Sequence, residues 1–144
     1  MNRVALVIGN SEYLNIGKLN NPKNDANDIA SILGKLNFDV EKVIDADLLD
    51  IQRSVNKFLQ ALDEYAVGLF FYAGHGMQID GKNYIVPVDL KLGDKSRTTV
   101  SCYCLNSLLD GAATYKGKTI MLRWEICYRC QRNWNPNILW PDKN

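Results

Sequence analysis

Two short apolar runs constrain the fold of this chain more than any other feature. One spans residues 4–8 and the other spans residues 67–72, and a glycine follows each run within two positions. Runs of this length without polar alternation are typical of strands that are buried on both faces of a parallel sheet. Parallel neighbours need long crossover connections, so the segments between such strands are expected to supply helices.

The segment between the two runs meets this expectation. Pro22 suits the first turn of a helix, apolar residues then recur at helical spacing, and Asn37 is the predicted stop. Residues 38–44 follow as a predicted strand. Asp47 then suits the N-cap of a second helix, which we expect to run from about 48 to 65.

The second half of the chain extends the same pattern. Its predicted elements are a hairpin over 78–86 with its turn at Asp80-Gly81, a loop over 89–99, a short helix over 105–112 and a strand over 118–122. Alternating strands and helices predict an α/β fold with a mostly parallel central sheet and helices on both faces. We expect residues 1–144 to form one domain.

Composition excludes several classes of function. The chain has 17 basic and 16 acidic residues, with no basic stripe that would indicate a nucleic-acid partner. No apolar run approaches the roughly 20 residues that a membrane span needs, and no signal-peptide pattern precedes the first strand. Four clustered cysteines do not resemble a secreted disulfide framework. We therefore expect a cytoplasmic protein without a membrane or nucleic-acid partner.

Candidate chemistry is concentrated where the apolar strands end. Ligand sites in open parallel sheets lie beyond the carboxyl ends of the strands, so Gly9-Asn10, residues 73–76 and the segment after Leu122 should meet there. His75, the only histidine, lies between two glycines at this edge. It suits a general acid or base, and the alternative is a turn histidine without a chemical role.

Longer motifs around these positions carry a family resemblance. Residues 72–76, followed by 80–89, resemble the histidine segment of bacterial caspase-like peptidases and metacaspases. Residues 4–13 are similar to the first strand of that family, and residues 19–26 to the start of its first helix. The resemblance implies a caspase-like fold and a cysteine endopeptidase that acts on peptides or proteins without a cofactor. Some metacaspases respond to calcium, and no calcium loop is identified here.

The resemblance also implies a Cys–His dyad. His75 would be the acid/base, the backbone N–H of Gly76 would serve the oxyanion hole, and Cys127 would be the nucleophile. Cys127 lies 52 positions after His75 in the sequence. This matches the family, in which the cysteine follows the histidine by about 50 residues. Cys130 is the alternative nucleophile. Arg123-Trp124, directly after the short predicted strand, is interpreted as an insertion.

An acidic pocket for a basic P1 residue is implied in the same way. Asp25 matches the family's pocket aspartate, and Glu125 stands for the aspartate that precedes the nucleophile. Two carboxylates would suit a guanidinium group. The alternative for Asp25 is an acid that is favoured only by its place at a helix start.

The end of the chain departs from the family pattern and leaves other interpretations open. Only 17 residues follow Cys127, without strand patterns, so we expect a domain that lacks the usual C-terminal strands and that self-associates or is marginally stable. In one alternative, the chain keeps the caspase-like scaffold but is an inactive binding domain. In another, Cys102, Cys104, Cys127 and Cys130 form a zinc module. An α/β domain of unrelated function is the remaining alternative.

Overall fold

A computed structural model of the chain describes residues 2–115 and 118–126. Its elements in chain order are β1 (Arg3–Gly9), α1 (Pro22–Lys35), β2 (Phe38–Ile44), α2 (Leu48–Ala61), β3 (Val67–Gly74), β4 (Gly76–Ile79), β5 (Lys82–Ile85), α3 (Lys95–Ser101), β6 (Tyr103–Cys104), α4 (Leu105–Ala113) and β7 (Thr119–Ile126). The central sheet is parallel, with strand order β2-β1-β3-β7.

Helices cover both faces of this sheet. Alternate residues of β1 face opposite sides, so Ala5 and Val7 pack with α1 while Leu6 and Ile8 pack in the cluster that contains α2 and α4. Burial on both sides explains why the run in β1 is apolar without alternation. The predicted α/β fold with a mostly parallel sheet is confirmed.

The first helix begins and ends where the sequence predicted. Pro22 is at its first turn, and the Ser11 hydroxyl accepts the Lys23 N–H at 2.9 Å, so a residue of the preceding loop caps the helix. Asn37 has a φ of 63°, the left-handed conformation that commonly follows a helix end.

The second helix is shorter than predicted. Asp47 and Asp50 form a reciprocal capping box at its start, which confirms the predicted N-cap. The helix ends at Ala61 rather than near 65. The N–H groups of Leu62, Asp63 and Glu64 bond to carbonyls three residues back, so the chain tightens out of the α-helix at this point.

A small antiparallel sheet, with order β4-β5-β6, follows the central strand β3. Asp80 and Gly81 both have positive φ, 51° and 78°, as the two-residue hairpin turn requires, and the predicted hairpin is confirmed. The predicted loop over 89–99 is wrong in part, because α3 begins at Lys95. Its N-cap Asp94 accepts the Arg97 N–H at 2.9 Å.

The last described strand corrects the predicted boundary at Leu122. β7 continues to Ile126 in unbroken parallel register with β3, pairing Arg123 with Phe71 and Trp124 with Tyr72. The predicted short strand is therefore wrong, and Arg123-Trp124 continues the strand without interrupting it. Arg123 is exposed and Trp124 packs against the core, an alternation that suits the outer strand of the described sheet.

Among the described residues, no helix is both long and apolar enough to cross a membrane. Residues 127–144, which include Cys127 and Cys130, lie outside the described residues. The single domain, the absence of further strands and self-association accordingly stay predictions.

Candidate active site

The carboxyl ends of three strands meet at one edge, as expected. The Asn10 N–H donates to the Ala73 carbonyl at 2.9 Å, and Gly74 pairs with Ile126 in β7. The three segments that the sequence placed at this edge are therefore neighbours.

Asn10 is a fully buried connector at this edge. Its side-chain nitrogen donates to the carbonyls of Ala46, at 3.3 Å, and Val86, at 3.2 Å, while its oxygen accepts the Ala46 N–H at 2.8 Å. One amide thus joins β1 to the segments after β2 and β5. Its position directly after a buried strand is the only sequence signal for this role.

His75 is held by the loop that follows β1. His75 is a buried residue, and Nε2 of its ring lies 2.7 Å from the Gly17 carbonyl oxygen. A carbonyl only accepts, so Nε2 carries a proton and donates it. In the neutral ring Nδ1 is then the nitrogen that takes up a proton. The sequence analysis missed Gly17, which lies 58 positions away in a loop without a regular pattern.

Burial also sets the charge of this ring. Desolvation lowers the pKa of His75 from its ordinary 6.5, and the hydrogen bond to Gly17 offsets part of that effect. The imidazole is therefore neutral at neutral pH. A neutral imidazole is the form that can accept a proton from a thiol.

Two tyrosine hydroxyls hold the backbone of His75. Its N–H donates to Tyr13 Oη at 2.9 Å, and Tyr13 Oη donates in turn to the Val86 carbonyl at 3.1 Å. The Tyr72 hydroxyl donates to the His75 carbonyl at 2.7 Å. The Tyr13 hydroxyl thus bridges the His75 N–H and the Val86 carbonyl, which do not bond to each other directly.

Gly74 allows this close approach of the two hydroxyls. A Cβ at this position would collide with the Tyr72 hydroxyl and lie 2.8 Å from Tyr13 Oη. Only glycine fits before the histidine without displacing the groups that hold it.

Gly76 begins the edge strand β4. The Val86 N–H donates to the His75 carbonyl at 3.1 Å, so His75 and Val86 occupy a hydrogen-bonded position of the ladder. Positions alternate in an antiparallel pair, and the Gly76 N–H therefore points away from its partner Ile85. This direction is compatible with the oxyanion role, which stays a prediction.

Asp25 and Glu125 line one pocket, and their role in binding a basic P1 residue stays a prediction. The pocket has a volume of about 280 Å³ and also borders Asn20, Asn21, Ala73 and Ile126. A hydrogen bond from Asp25 raises the pKa of Glu125, and burial and the Asp25 charge add to it while Arg123 opposes it. The two carboxyl groups therefore act on each other within one pocket.

Comparison with known proteins gives the family. The sequence matches the caspase domain over residues 2–122. This chain belongs to the caspase domain family. The caspase domain described here is 35% identical over 107 residues, 74% of its length, to the human mucosa-associated lymphoid tissue lymphoma translocation protein 1 and to the mouse homolog. It spans only 13% and 12% of those proteins.

Solved structures agree with the fold. The chain superposes on the Drosophila initiator caspase Dronc with a TM-score of 0.68 at 12% identity, covering 86% of this chain and 48% of that one. A Geobacter sulfurreducens protein gives a TM-score of 0.65 at 21% identity, covering 88% of this chain and 51% of that one. The predicted caspase-like architecture is confirmed.

Two of the four cysteines, Cys102 and Cys104, lie among the described residues. Cys102 is buried, and burial raises the pKa of its thiol to about 12, so it is inert. Cys104 is half-buried at the N-cap of α4. Cys127 and Cys130 lie outside the described residues. Over 2–115 and 118–126, no three acidic, histidine or cysteine side chains are grouped so as to hold a metal ion.

Proposed function

We propose that this caspase domain is a cysteine endopeptidase that cleaves peptides or proteins after basic P1 residues with a His75–Cys127 dyad. The observation that carries the proposal is the pairing of Gly74 with Ile126. These residues directly precede His75 and Cys127 in the sequence, and neighbouring strands lie about 4.8 Å apart. The register therefore favours a short separation between the two proposed partners.

The state of the histidine supports the same assignment. With Nε2 committed to Gly17, a neutral His75 accepts the thiol proton at Nδ1. The thiolate attacks the scissile carbonyl carbon and forms a C–S bond. The C–N bond then breaks as His75 returns the proton to the leaving amine, and water hydrolyses the acyl-enzyme. The Gly76 N–H is proposed to stabilise the oxyanion.

The pocket beside Ala73 supports the basic specificity. Asp25 and Glu125 both line this pocket, and Glu125 pairs with Ala73, two positions before His75. A guanidinium is planar and charged, and it bonds two carboxylate oxygens at once. We propose arginine at P1, with lysine accepted less well because it offers a point charge.

The test is cleavage of fluorogenic peptides with arginine, lysine or aspartate at P1. Wild type is compared with His75→Ala and Cys127→Ala, and Cys130→Ala is the matched control because it removes a nearby thiol. We expect cleavage after arginine and lysine that is lost in the first two variants and kept in the control. Loss in Cys130→Ala alone would move the nucleophile to that residue.

A folded protein that cleaves none of the peptides and does not react with a thiol-directed arginyl probe would contradict the proposal. The remaining interpretation would then be an inactive caspase scaffold. Circular dichroism and a thermal melt on the same samples establish that each variant is folded.

A further inference from the structure

His75 is held from two parts of the chain that are distant in sequence. The loop over 11–19 supplies the Gly17 carbonyl to the ring, and the turn after β3 supplies the backbone. The ring keeps its orientation only while this loop and this turn keep their relative positions.

Tyr13 lies in that loop and contacts that turn. Its hydroxyl accepts the His75 N–H, donates to the Val86 carbonyl and lies 3.2 Å from Tyr72 Oη. Its ring meets the imidazole edge-on, with centroids 4.4 Å apart and planes at 61°. The residue is 1% exposed, so these contacts form away from water, where they are strong.

Hydrogen bonds on both sides of Gly17 keep the loop closed, including those of Lys18 to the Tyr13 carbonyl and to Glu12. The Leu19 N–H closes the loop on the Ser11 carbonyl at 3.0 Å, and the Leu14 N–H joins it to the Val88 carbonyl at 2.9 Å. Neither bond involves His75. Beside the Gly17 carbonyl itself, the Tyr13 side chain, four positions before Gly17, reaches from the loop to His75.

Tyr72 provides the comparison. Its hydroxyl also bonds the His75 backbone, but Tyr72 belongs to β3, the strand that leads into the turn. It therefore fixes the turn mainly to its own strand, and it reaches the loop only through the Tyr13 hydroxyl, 3.2 Å away. The two tyrosines differ in what they join, although both are buried and both bond His75.

We infer that Tyr13 is a positioning residue, which keeps the Gly17 carbonyl aligned with Nε2 of His75. Its effect on catalysis rests on the proposed function, whereas its effect on the ring does not. Removing the hydroxyl loosens the loop against the turn and exposes the Nε2 proton to water.

The single histidine permits a direct test by NMR of protein labelled with ¹⁵N-histidine. In Tyr13→Phe we expect the Nε2 proton to exchange with water about tenfold faster than in wild type, the size of one lost buried hydrogen bond. Tyr72→Phe is the matched control, with exchange expected within about twofold of wild type and a lower melting temperature. In peptide cleavage, kcat should fall about tenfold in Tyr13→Phe with KM little changed.

Unchanged exchange in Tyr13→Phe would overturn the inference, as would equal acceleration in Tyr72→Phe. If Tyr13→Phe does not fold, Tyr13→Gln is used, because its amide retains an acceptor for His75 and a donor for Val86 but lacks the ring. Because both hydrogen bonds are kept, exchange in that variant should stay within about twofold of wild type, and exchange about tenfold faster would overturn the inference. A protein without peptidase activity still gives the exchange result, so failure of the proposed function is recognised separately.

Discussion

Asp25 on α1 and Glu125 on β7 line the same pocket beside Ala73, and the proximity of Asp25 raises the pKa of Glu125. The pair joins residues 100 positions apart, from 25 to 125. Its members repel when both are ionised, and a bound cation would relieve that repulsion. Stability and the proposed binding of a basic P1 residue would therefore place opposite demands on the same two side chains.

Stability should fall as pH rises through the titration of Glu125. The pKa of Glu125 is raised above its ordinary 4.5, so the folded state binds more protons than the unfolded state in the window above that value. Glu125→Gln removes the repulsion and should flatten this part of the profile. Thermal melts between about pH 4 and pH 8 measure it. Glu64→Gln, at an exposed position of the α2–β3 connection, should leave the slope as in wild type.

The same substitution should weaken cleavage after arginine. Loss of a charged hydrogen-bond partner typically costs about 1.5–3 kcal/mol, so kcat/KM for an arginyl peptide should fall at least about tenfold in Glu125→Gln and in Asp25→Asn. Asp28→Asn, an exposed position on the same helix, serves as the control. Equal cleavage of arginyl and aspartyl peptides by wild type would show that the pocket does not select a cation.

Acidification should protonate His75 only below its ordinary pKa. Burial lowers the pKa of the folded ring from 6.5, so the unfolded state binds more protons between the two values. The stability contribution is present above pH 6.5 and is lost as pH falls through that window. NMR titration of the single imidazole should give a midpoint below 6.5. A midpoint above 6.5 would mean that a negative group outweighs burial.

Gly74→Ala should destabilise the domain, because its methyl group would displace the two hydroxyls that hold His75. Overpacking of this kind costs about 1–3 kcal/mol, which urea unfolding detects. Gly34→Ala is the control with the opposite sign. It lies in α1 with open space around a new methyl, and alanine there should stabilise by about 0.5–1 kcal/mol. Equal stability of wild type and Gly74→Ala would contradict the packing described here.

Local patterns were sufficient for most elements of the fold. The apolar run of β1, the cap at Asp47 and the Asp80-Gly81 turn each depend on interactions between residues close in sequence. Such signals can be recognised without tertiary structure. The helix α3 escaped prediction because its residues are mostly polar and carry no apolar stripe, and the two-residue strand β6 exists only through its pairing with β5.

The sequence by itself determined the α/β class, the carboxyl edge as the place of the site, and His75 as its candidate acid/base. Only the tertiary structure shows that the Gly17 carbonyl accepts the Nε2 proton of His75 and that Tyr13 connects the loop to the turn after β3. It also shows that β7 continues through Arg123 to Ile126. The physical reason is range. Periodicity and capping act over a few residues, whereas these contacts join segments that packing brings together from distant parts of the chain.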